Sequence, residues 1–186
     1  MRHSTWIRNS VLTASAFVAL ISLGMTQASA TPSSPAGQLD LKSAPVPAGM
    51  CTHPAGNLKD GSRSFGVHGG DYIRSTAFGT INNGATALAV MQCTAGGVAW
   101  PDTIVFYRKG SDGKAAMVAS YDTAKLIDAE HVVAKKLAIK NGIVHGQFES
   151  YDGAGIVVQP ITANLQIKNN TVVVTNVHRG KVIDHS

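Results

Sequence analysis

The chain has 186 residues, 44% hydrophobic, 15% charged and 6% aromatic, with a formal net charge of +5. Its 19 Gly and 7 Pro follow no fixed period. This excludes a collagen-like repeat, argues against a wholly disordered chain, and fits one domain with a short arm.

The first thirty residues read as a targeting segment. Arg2 and Arg8 precede the apolar run Val11 to Met25, and Ala28-Ser29-Ala30 follows it. Positive charge, apolar run and small-residue site, in that order, predict a Sec-type signal peptide cleaved after Ala30. The run falls short of the roughly 20 residues of a membrane span. The expected location is therefore extracellular or cell wall, with no membrane attachment after cleavage. Removing Arg2 and Arg8 leaves +3 over residues 31–186. That residue is spread along the chain without interleaved aromatics, so no nucleic acid partner is expected.

Residues 31–49 are rich in Pro, Ser and Ala and read as a flexible arm, with order beginning near Cys51. Cys51 and Cys93 are the two cysteines. An even count in an exported chain predicts a disulfide, pinning the amino-terminal segment to a central strand. The alternative, a metal held by Cys51, His53 and Cys93, lacks the paired spacing of a structural zinc site.

From there the chain reads as strands. Asp71 to Phe78 is β-prone and ends at Gly79, before a turn at Asn82-Asn83-Gly84. Ala85 to Thr94 is nearly continuously apolar, as a strand covered on both faces would be. Thr103 to Arg108 and Ala115 to Tyr121 form the next pair, around a loop at Lys109 to Lys114. Residues 122–131 read as a short turn or helix near Thr123 to Asp128, which Asp122 could cap. A strand from Val132 to Lys140 follows. Asn141-Gly142 is the strongest hairpin signal, because both residues accept positive φ. Its partner strand is Ile143 to Tyr151. Ile161 to Lys168 alternates apolar and polar residues, as a half-buried strand does. Asn169-Asn170 turns it into Thr171 to His178, and residues 181–186 read as a frayed tail. The predicted fold is mostly β, with about seven or eight antiparallel strands over residues 50–180. They would form a sandwich, open barrel or bent sheet.

Motifs of chemistry are sparse. There is no G-x-S-x-G elbow, no S-x-x-K, no H-E-x-x-H and no phosphate loop. Asp112-Gly113 lacks the further acids of a calcium loop. His145 and Glu149, four apart, share one face of a strand, and His178 could approach them if the last strand pairs nearby. These three are the candidate polar cluster. Trp100, in the Gly-rich stretch Ala95 to Pro101, and Tyr151 are the candidate binding residues. An exposed Trp there could stack on a sugar, and a buried one would close an end of the core.

The stretches Cys51-Thr52-His53-Pro54-Ala55-Gly56-Asn57-Leu58-Lys59-Asp60-Gly61 and Met91-Gln92-Cys93-Thr94-Ala95-Gly96-Gly97-Val98-Ala99-Trp100-Pro101 resemble an uncharacterised family of small secreted actinobacterial proteins. The similarity runs from Cys51 to about Lys168. In that family the turn before the central strand often reads G-D-L-T-G-D-G, like an FG-GAP-type calcium turn. Here Phe78 to Gly84 has no acid, which argues against calcium. The resemblance implies a secreted, mostly β domain with a disulfide and no established activity.

Together these readings predict a secreted, monomeric, non-catalytic β-domain. No cofactor and no metal are expected. The expected partner is a protein or a cell-wall carbohydrate, met by loops around residues 96–101 and 151–160. Two alternatives stand beside it: a hydrolase of cell-wall polymer using His145 and Glu149, and a protease inhibitor.

Overall fold

In the computed structural model, residues 39–96, 100–127, 131–152 and 155–184 are described, all within one unit spanning Pro32–Ser186. The expected signal peptide, residues 31–38 of the expected arm, and His185 and Ser186 lie outside them. Eight long strands dominate: β4 (Gly69–Ile81), β5 (Gly84–Ala95), β6 (Thr103–Lys109), β7 (Ala115–Asp122), β8 (Val132–Lys140), β9 (Ile143–Tyr151), β10 (Val157–Lys168) and β11 (Thr171–Arg179). Three short strands precede them: β1 (Pro45–Val46), β2 (Gly56–Asn57) and β3 (Ser62–Phe65).

All pairing among these strands is antiparallel. The first sheet has the order β3-β4-β5-β6-β7 and the second β11-β10-β9-β8, while β1 and β2 pair separately. The sheets pack face to face, with β4 beside β8 and β7 beside β11. The result is an antiparallel, curled half-barrel arrangement.

Hairpin chemistry sets the connections. Asn82-Asn83, Asn141-Gly142 and Asn169-Asn170 all have positive φ at both positions, as two-residue turns matching the strand twist require. Between the sheets lies one core, including Ile81, Leu88, Val90, Ile104, Phe106, Val144, Phe148, Ile161 and Leu165. Only the even-numbered apolar residues of β5 reach it. Ala87, Ala89, Met91 and Cys93 point to the opposite face, into a second cluster with Leu41, Ala44, Val46, Met50, Cys51 and Leu58. The continuous apolar reading of β5 thus corresponds to a strand covered twice.

Four expectations need correction. The arm is not flexible throughout: from Leu39 it forms a cap over the first sheet, with Leu41, Ala44 and Val46 buried. Leu58 N–H donates to Ala44 O at 3.0 Å and Tyr107 Oη to Pro45 O at 2.8 Å. Irregular apolar residues in a Pro-rich segment hide this, because they pack without helix or strand period. Second, β4 runs on through Gly79 to Ile81. A Cβ at Gly79 would stand 2.6 Å from Ile139 Cβ, so this glycine is where β4 and β8 close on each other. Third, β10 starts at Val157 rather than Ile161, so the loop placed at 151–160 shrinks to residues 152–156. Fourth, the tail as far as Ile183 lies along β10, since Gly180 N–H donates to Pro160 O and Ile183 N–H to Val158 O, each at 2.8 Å.

The segment after β7 forms a single 3-10 turn, Thr123–Leu126, with the Asp122 side chain accepting from Ala124 N–H. The disulfide joins Cys51 to Cys93, with Cα atoms 5.9 Å apart. It fastens the cap to the centre of the first sheet. No helix among the described residues is long and apolar enough to cross a membrane.

Candidate functional site

The second sheet has an outer face that nothing among the described residues covers. Val144, Gly146, Phe148 and Ser150 point inward from β9, which leaves His145, Gln147 and Glu149 outward. On β10, Ile161, Ala163, Leu165 and Ile167 point inward, which leaves Thr162, Asn164 and Gln166 outward. The ladders align these side chains in rows. Ala138, His145, Asn164 and Thr175 form one row; Lys136, Gln147, Thr162 and His178 form the next. Over the rows lies a groove of about 550 Å3, lined by Lys136, Lys140, His145, Gln147, Asn164 and Asn176 among others. Asn176 has φ 52 at a register shift in β11. Such a bulge inserts an extra residue and re-aims the side chains around it.

The predicted polar cluster is divided by this geometry. His145 and Glu149 do share the outer face of β9. Four residues separate them, however, about 13 Å at roughly 3.3 Å per residue. His178 lies across from Thr162, two strands away from Gln147. His145 lines the groove; Glu149 does not. Glu149 instead accepts from Tyr151 Oη at 2.8 Å and pairs with Lys135 Nζ at 3.0 Å. Partial burial pulls the Glu149 carboxyl upward, but the bonds from Tyr151 and Lys135 outweigh it and hold it below its usual range. The bond to Glu149 raises the Lys135 ammonium. Burial, then the Glu149 contact, raises the Tyr151 phenol.

The two predicted binding residues are both partly enclosed. Trp100 is half-buried against the cap cluster. Tyr151 is half-buried at the end of β9. The described residues beside them are tied together by backbone bonds. Asp102 N–H donates to Val132 O at 3.1 Å, Thr123 N–H to Asp102 O at 3.0 Å, and Tyr151 N–H to His131 O at 2.8 Å. Residues 97–99, 128–130 and 153–154 lie outside the described residues.

Two buried acids went unnoticed in the sequence. Asp71, fully buried on β4, accepts from Arg63 Nε at 2.6 Å and faces His53 Nδ1 at 2.8 Å. The His53 ring stacks on Phe65 at 4.2 Å, and the Arg63 guanidinium sits 4.9 Å from the same ring. This group clamps the cap beside the disulfide. His53 is therefore directed at a carboxylate, and the cysteines that could have joined it on a metal are bonded to each other. No group of three or more metal-ligating side chains occurs among the described residues.

Asp102 is the other buried acid. It accepts from Ala134 N–H at 2.7 Å and from Arg74, whose guanidinium also donates to Ala134 O. Arg74 stands at a register shift in β4. The three residues join β4, β8 and the entry to β6. Burial pushes the Asp102 carboxyl up to about 6, against the opposing pull of the Ala134 amide and Arg74. A lone Asp in a strand or before one has no sequence motif. The only hint in either case is an acid flanked by strand-forming residues.

Comparison with protein-family models, with curated proteins and with solved structures finds no match.

Proposed function

We propose that this protein is an exported, non-catalytic binding domain of the cell envelope or extracellular space, similar to the small secreted actinobacterial proteins its cysteine-containing stretches resemble. The observation that carries the reading is the contrast between the two outer faces of the fold. The centre of the first sheet's face is covered by the disulfide-fastened cap, with Phe78 and Met117 left partly exposed at its margins. The second sheet's face is open and lined by amide, hydroxyl, imidazole and ammonium groups around the groove. Amides and hydroxyls each offer donors and acceptors, which suits the hydroxyl groups of a carbohydrate. The rigidity of a sheet lowers the ordering cost of binding.

The hydrolase alternative needs His145 and Glu149 to converge on one substrate. Their separation along β9, and the engagement of Glu149 with Lys135 and Tyr151, speak against that pairing.

The test is co-sedimentation of the purified protein with cell walls of the producing organism. Binding by the parent chain is expected. Gln147→Ala with Asn164→Ala should abolish it while leaving the melting temperature within about 2 °C, since both side chains are on the surface. Binding lost instead with Trp100→Ala, at an unchanged melting temperature, would move the site to Trp100. No sedimentation with any wall fraction would sink the wall-binding reading.

A further inference from the structure

The second sheet is unevenly charged. Its strands carry Lys135, Lys136, Lys140, Lys168 and Arg179 against the single acid Glu149. That acid is already paired with Lys135. Lys136 and Lys140 are exposed, with Leu137 and Ile139 between them packed toward the core. The two lysines therefore stand on the outer side of β8, at the edge of the groove. Among the described residues, no Asp or Glu lines that groove. Its lysines meet no acid of the described lining, and its floor is made of Gln147, Thr162, Asn164 and Asn176 side chains.

We infer that the groove takes an anionic polysaccharide, with its acidic groups at Lys136 and Lys140 and its hydroxyls on the amide and hydroxyl rows. This inference rests on the binding reading above and specifies its ligand. Three features select this occupant. The lysines supply charge complementarity to an anion. Among the described residues the groove has no Phe, Tyr or Trp and one imidazole, His145, so it lacks the succession of broad aromatic faces on which the bases of single-stranded nucleic acid stack. Nor does it have the aromatic or large apolar anchor on which a protein partner's binding energy concentrates. What remains is a flat array of donors and acceptors with two ammonium groups at one border. That array suits a hydroxyl-rich polyanion.

The experiment measures retention of the purified full chain on four immobilised probes: polygalacturonate, neutral dextran, polyglutamate and single-stranded DNA. Retention on polygalacturonate is expected at low salt and should weaken as salt rises. Dextran, polyglutamate and DNA should retain the chain far less. The double substitution Lys136→Glu with Lys140→Glu should weaken polygalacturonate binding by about tenfold or more, by reversing both charges. A control pair of equal charge change on other elements, Lys59→Glu with Lys114→Glu, should leave it unchanged. Circular dichroism and melting confirm that each variant folds. Equal effects of the two pairs would overturn the inference, because net charge rather than the groove would then drive retention. So would binding to polyglutamate or DNA as strong as to polygalacturonate, or no binding to any acidic probe. If cell walls or dextran bind and the Gln147/Asn164 variant abolishes this, while the lysine variant does not, the ligand assignment falls and the binding reading stands.

Discussion

The two sheets make opposite use of the same strand geometry. In the first, β5 is apolar on both sides: Leu88 and Val90 fill the space between the sheets, while Ala87, Ala89 and Met91 meet the cap. In the second, β9 from Val144 to Glu149 and β10 from Ile161 to Lys168 alternate, apolar residues or glycine inward and polar outward. An apolar outer face exposed to water would be an aggregation surface, so it has to be covered. A polar outer face has no such requirement and stays available for a ligand. The difference shows that the alternation of a strand reports how many of its faces are covered, not merely that it is a strand.

Removing the fastening of the cap is the strongest way to break this contrast. Cys51 and Cys93 are 42 residues apart, and in the chain-entropy model a loop of that length is worth about 4 kcal/mol. Cys51→Ser with Cys93→Ser should lower unfolding stability by that order in denaturant titration. It should also make the first sheet's outer face bind a hydrophobic dye before global unfolding. Unchanged stability would mean that the cap holds by packing alone.

Next in size is the Asp102 tie between the sheets. Its carboxyl is raised to about 6 in the folded state from 3.8, so the folded chain binds the proton more tightly than the unfolded chain does. This contribution to stability is greatest below about pH 4, is lost as pH rises to about 6, and is flat beyond. Two units correspond to roughly 3 kcal/mol. Asp102→Asn removes the titration while keeping an acceptor for Ala134. The stability of the parent minus that of the variant should therefore fall by roughly that amount between pH 4 and pH 7. A difference independent of pH would contradict the assignment.

The seam at Gly79 should respond more modestly. Gly79→Ala places a methyl group against Ile139, and overpacking of this kind costs about 1–3 kcal/mol. Ile139→Ala in the same chain should recover part of the loss, as a double-mutant cycle would register. The smallest effect belongs to the open face. Lys135 and Glu149 are both solvent-accessible, and pairs of this kind contribute about 0–1 kcal/mol. Glu149→Gln should shift the midpoint of unfolding little, and a large shift would mean that the Tyr151 contact is structural.

Much of the scaffold was legible from local chemistry. Asn82-Asn83, Asn141-Gly142 and Asn169-Asn170 mark three hairpins, because few other residue pairs accept positive φ twice in succession. The pairing of Cys51 with Cys93 was legible from the even cysteine count together with the expected export. The candidate site was less legible. His145 was recognised, and its partners in the groove were not, because Lys136, Asn164 and Asn176 come from three other strands and share no spacing pattern.

The sequence by itself determined the eight long strands, the three tight turns and the disulfide, and left the segment after Asp122 as turn or helix. All of these depend on backbone preference, alternation or cysteine count, which act within a few residues or by pairing alone. Only the tertiary structure decided that residues from Leu39 form a cap, that Asp71 and Asp102 are buried and tied to Arg63 and Arg74, and which outer face stays open. Those outcomes depend on which surfaces meet across the fold, where desolvation and close packing act on residues far apart in the chain.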